Sequence, residues 1–61
     1  MNISLKACRI NAKLSRSELA EKIGVSYSTI VSWESGKTQP KLNQIRMYSD
    51  ICGIPIEFIS T

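Results

Sequence analysis

The sequence contains no histidine and only two cysteines, Cys8 and Cys52. Without histidine it lacks the side chain that most often serves as a general base near neutral pH and as a metal ligand. Neither cysteine has a partner at the two-to-four spacing of a zinc site. Two cysteines are too few for a disulfide scaffold, so both read as small buried hydrophobes in a reducing compartment; a bond between them stays open at this level. No apolar run approaches the roughly 18 residues of a membrane span. The opening stretch, Met1 to Lys6, has no long apolar core followed by a small-residue cleavage site, so a cytoplasmic location is expected. Glycine and proline are scarce, at three and two residues. There is no internal repeat, no biased tract, no phosphate-cradling glycine loop and no convincing strand. With 61 residues a two-lobed enzyme is excluded, and a single domain over 1–61 is expected. Serine and tyrosine hydroxyls without an activating base do not make a nucleophile. The expectation is therefore a protein that is not an enzyme, with no cofactor, metal, membrane or small-molecule ligand.

What is present is positive charge in one part of the chain. Residues 1–46 hold all eight basic residues and three acids, Glu18, Glu21 and Glu34, for a net +5. Residues 47–61 hold Asp50 and Glu57 and no base, for a net −2. A basic body with an acidic tail fits a polyanion on one side and a different partner on the other.

The apolar residues recur with helical spacing between punctuation marks. A first helix is expected from about Ser4 to Ala12, with Leu5, Cys8 and Ala12 on one face and Leu14 following as an anchor. A second begins at Ser15, where Ser15-Arg16-Ser17-Glu18 is a capping box. Its inner face is Leu19, Ala20 and Ile23, and Gly24 ends it. A third is capped by Ser26, points Ile30 and Trp33 inward, and closes near Ser35 and Gly36. A fourth runs from about Lys41 to Cys52, with Leu42, Ile45, Tyr48, Ser49 and Cys52 at helical spacing. A short fifth turn covers about Ile56 to Ser60. The fold class is all-α, five short helices.

The connection Gly24-Val25-Ser26 is too short to lay the second and third helices side by side. It forces the third helix away at a steep angle, the geometry of a helix-turn-helix. With Ile30 and Trp33 inward, the opposite face presents Tyr27, Ser28, Val31 and Ser32.

The run from Leu14 to Ser26, followed by Thr29 to Lys37 and Pro40, closely resembles the Cro/repressor-type (lambda repressor-like) helix-turn-helix family of DNA-binding regulators. The resemblance spans nearly the whole chain. It rests on the ordered set Ala20, Gly24, Ile30, Trp33, Glu34, Gly36 and Lys37. The lysine at position 13 departs from it, since many relatives have glycine there.

The resemblance implies roles for matching residues. Arg9 and Glu34 match an interior ion pair; the other readings are a phosphate contact for Arg9 and a surface acid for Glu34. Tyr27, Ser28 and Ser32 match positions that touch base edges, with the helix entering the major groove amino end first. Thr29 and Val31 lie close enough to contribute. Tyr27 also reads as a half-buried packing residue, and Ser28 and Ser32 as solvated surface. No Arg, Asn or Gln stands on this face, so bidentate pairing with guanine or adenine is missing there. Readout is expected to lean on Tyr27, methyl contacts and DNA shape. Arg16, at the start of the second helix, matches a position that contacts phosphate or an adjacent base. Ser17, Ser35, Lys37 and Lys41 suit phosphate contacts that set register. Trp33 reads as core.

At the carboxyl end Ile54, Pro55 and Phe58 form an apolar edge, expected as a dimer surface, while Ile56 and Ile59 close the core. The alternative is that all of them complete the monomer's own core. The expected function is a sequence-specific transcriptional regulator, a Cro-like repressor binding double-stranded DNA as a homodimer on a near-palindromic operator. The rival is a protein-interaction module or antitoxin core on the same fold.

Overall fold

A computed structural model of the chain describes residues 2–60. Four α-helices follow one another: α1 (Leu5–Asn11), α2 (Arg16–Ile23), α3 (Tyr27–Ser35) and α4 (Leu42–Cys52). Each start has a local cause. The Ser4, Ser15 and Ser26 hydroxyls accept the backbone N–H groups of Ala7, Glu18 and Thr29, which would otherwise be orphaned in the first turn. Glu18 answers reciprocally by accepting the Ser15 backbone N–H at 2.9 Å, completing the capping box. At the start of α4 the Gln44 side chain accepts the Lys41 backbone N–H at 2.7 Å.

The helices wrap one core. Cys8, Leu19, Ile30 and Tyr48 are wholly buried, and Leu5, Ala20, Ile23, Trp33, Cys52 and Ile54 surround them. Each fully buried aliphatic side chain contributes about 1.5–3 kcal/mol. The Trp33 and Tyr48 rings meet at 6.0 Å between centroids with a tilt of 53°, which fixes the end of α3 on α4. Both cysteines are buried and unbridged. Burial pushes both thiols up, Cys52 to about 11.

Three features differ from the sequence reading. First, there are four α-helices among the described residues, not five: the carboxyl segment makes only a 3-10 turn at Ile56–Phe58. Second, Ile3–Ser4 (β1) pairs in parallel with Ile59–Ser60 (β2), joining Ile3 to Ile59 and Ser4 to Ser60. Extended backbone at Ile59, with φ −85° and ψ 123°, ends the turn and starts this pairing. Third, Leu42 is 63% exposed. It is the first residue of α4, and helical side chains lean back toward the amino end, so it overhangs the helix start instead of joining Tyr48 and Cys52 in the core.

Candidate nucleic-acid interface

The α2–turn–α3 unit is built as its sequence requires. Gly24 has φ 87°, a conformation that a Cβ would strain, and its N–H caps α2 on the Ala20 carbonyl at 2.8 Å. Val25 N–H reaches the same carbonyl at 3.0 Å. Ser26 then starts α3 at once. Ile30 and Trp33 face inward as expected and leave the other side of α3 in solvent.

That outer face carries the expected readers. Tyr27 is 51% exposed, and Ser28 and Val31 are also exposed. Ser32 and Thr29 are half-buried. The serine and threonine hydroxyls are not all turned outward. Ser26 Oγ lies 3.1 Å from Ser28 Oγ and 2.8 Å from Thr29 Oγ1, so the cap serine gathers both. Ser35 donates its hydroxyl back to the Ser32 carbonyl at 3.1 Å. Ser17 lies exposed in the first turn of α2. Lys37 is exposed just after α3, and Lys41 is exposed at the start of α4.

Behind this face sits an ion cluster. Arg9 donates Nε–H to Glu34 Oε2 at 2.6 Å and Nη2–H to Oε1 at 3.2 Å, a two-pronged grip. Its third arm, Nη1, donates to the Leu14 carbonyl at 3.0 Å and so holds the α1–α2 connection. The Glu34 side chain is only 4% exposed. Burial pushes its carboxyl up, but the hydrogen bonds from Arg9 and Arg16 outweigh this and hold it below the ordinary carboxylate range.

Arg16 is the arm that the sequence reading missed. Expected only on DNA, it also donates Nε–H to Glu34 Oε1 at 3.2 Å, with its side chain 37% exposed. The Tyr27 hydroxyl stands beside the same guanidinium; first that hydroxyl and then Glu34 raise its pKa further. Glu34 therefore ties α1, α2 and α3 together at one carboxylate. Nothing in local spacing signals a contact between positions 16 and 34, because it depends on how α2 crosses α3.

At the carboxyl end the structure corrects one expectation. Ile54 is 8% exposed and belongs to the core, so it offers no surface to a second copy. Its carbonyl also accepts the Ser49 hydroxyl at 2.6 Å. Pro55 and Phe58 remain exposed. Among the described residues, no three His, Cys, Asp or Glu side chains cluster as a metal site. No helix there is long and apolar enough to cross a membrane.

A family model described as helix-turn-helix matches residues 5–59, nearly the whole chain. The chain belongs to this helix-turn-helix family. Two curated relatives bear the same stamp. One, from Methanocaldococcus jannaschii, is an uncharacterised HTH-type transcriptional regulator. It is 37% identical over 59 residues, which cover 97% of this chain and 89% of the relative. Another, from Haemophilus influenzae, is also an uncharacterised HTH-type transcriptional regulator. It is 36% identical over 45 residues, covering 74% of this chain. The matched segment is 19% of that Haemophilus protein, so the chain corresponds to one small part of it. No solved structure matches at the same stringency. The family assignment agrees with the resemblance to Cro/repressor-type regulators carried by Ala20, Gly24, Ile30, Trp33, Glu34, Gly36 and Lys37.

Proposed function

We propose that this helix-turn-helix chain is a sequence-specific DNA-binding transcriptional regulator. It acts as a Cro-like repressor in the cytoplasm and binds a near-palindromic operator as a homodimer. One observation carries the reading: the outer face of α3 exposes Tyr27, Ser28 and Val31, and Tyr27, at its amino end, lies beside the guanidinium of Arg16. A solvent-facing helix start flanked by a partly free cation suits a major groove lined by phosphates. Tyr27, Ser28, Thr29, Ser32 and Arg16 read base edges. Arg16, Ser17, Ser35, Lys37 and Lys41 hold phosphates. Pro55 and Phe58 contribute to the dimer contact. The role is one of binding, without catalysis or cofactor.

The test is selection of bound duplexes from a random DNA library at moderate salt. The expected result is an inverted repeat with half-sites about one helical turn apart, bound more weakly as salt rises because contacts with Lys and Arg release counterions. No enrichment by folded protein removes the reading and favours a protein partner instead.

A further inference from the structure

The cluster around Glu34 is electrostatically unbalanced. Two guanidiniums, Arg9 and Arg16, share one carboxylate, leaving a surplus positive charge. Arg16 is also the first residue of α2, where the helix dipole disfavours a cation. An arginine placed there gains most when an anion approaches from outside. Its bond to Glu34 uses only Nε–H. The guanidinium carries five donors in a rigid fork, so the terminal nitrogens remain for another acceptor. The Arg16 side chain is partly in solvent, whereas the carboxylate holding it is almost wholly buried.

We infer that Glu34 is a positioning residue for DNA readout: by holding Nε of Arg16 it aims the terminal nitrogens of that side chain outward, so that Arg16 grips the core and the DNA at once. This rests on the DNA-binding reading above and adds a demand that the reading alone does not make. A lysine at position 16 keeps the charge but has a single ammonium with no fork, so it cannot hold Glu34 and meet DNA in the same fixed geometry. Tyr27, two turns before Glu34 on the same stripe of α3, stands against the held guanidinium.

The experiment compares wild type with Arg16→Lys, Arg16→Met and Glu34→Gln, each checked for helicity, by fluorescence anisotropy on the duplex recovered from the library. Arg16→Lys is expected to bind about tenfold more weakly. Its salt slope should stay close to wild type, because the phosphate charge is kept, whereas Arg16→Met should lose about one counterion. Base preference at the position facing Tyr27 should broaden in Arg16→Lys. Adding Glu34→Gln to Arg16→Lys should lower stability through Arg9 but cost little more in DNA affinity among folded molecules, since the link to Arg16 is already gone. Arg16→Lys binding as tightly and selectively as wild type overturns the inference, and so do losses that simply add. If Glu34→Gln fails to fold, the two Arg16 variants decide alone. Arg16→Lys as unselective as Arg16→Met supports the inference, and Arg16→Lys matching wild type overturns it. Wild-type protein that binds no duplex removes the DNA-binding reading, and this inference with it. Normal wild-type binding with a normal Arg16→Lys removes this inference alone.

Discussion

Lys13 adopts φ 60°, the left-handed region, between α1 and α2. A Cβ there crowds its own carbonyl, at a cost of about 1–2 kcal/mol. The glycine expected from the family resemblance at this position has no such penalty. Lys13→Gly should raise the urea unfolding free energy by about 0.5–1 kcal/mol, after the extra chain entropy of glycine is subtracted. An unchanged or lower midpoint would remove strain from the account. At Glu34 the sign is set by its depressed folded pKa. The stabilisation is complete above the unfolded glutamate value of about 4.3 and is lost as pH falls through the lower folded value. Urea midpoints should therefore drop in that acidic window. Glu34→Ala should lower stability by about 3–5 kcal/mol at neutral pH, because Arg9 is left buried and unpaired, and should flatten the acid decline. The pairing of Arg9 with Glu34 was legible through family resemblance. The third arm from Arg16 was not, because its donor and acceptor meet only through the crossing of two helices.

At the scale of elements, the boundaries followed from chemistry written into the chain. Ser15 and Glu18 announce α2, and Ser26 announces α3 directly after Gly24. Ser15→Ala removes an acceptor from the first turn of α2 and should cost about 1 kcal/mol, lowering Tm by about 4–8 °C in a domain this small. A thermal melt within one degree of wild type would show that water caps α2 equally well. The same local logic failed where the chain uses distant partners. Two residues per strand carry no alternation to detect, so the β1–β2 pairing had no signature. Leu42 satisfied the apolar period of α4 but stands at its overhanging start, where periodicity says nothing about the neighbour.

For the whole molecule, charge and apolar surface are divided. The basic residues all fall in positions 1–46, while the exposed Phe58 belongs to the acidic end. On the proposed dimer, Phe58→Ala should shift a sedimentation-velocity profile toward monomer without altering helicity. A dimer that persists would place the contact elsewhere. The three apolar residues read together at this end separated in the structure, because Ile54 was claimed by the core while Pro55 and Phe58 were left outside.

The parallel bridge from Ile3 to Ile59 also sets an order of events during synthesis. Contacts between α2 and α3 are close in sequence and form quickly. The bridge closes a loop of nearly the full chain and carries the larger entropic cost. The α2–α3 unit thus assembles while the polypeptide is still emerging, and the clasp shuts only after Ile59 has left the ribosome. A chain truncated short of that residue keeps α3 on a core that lacks the β1–β2 pairing.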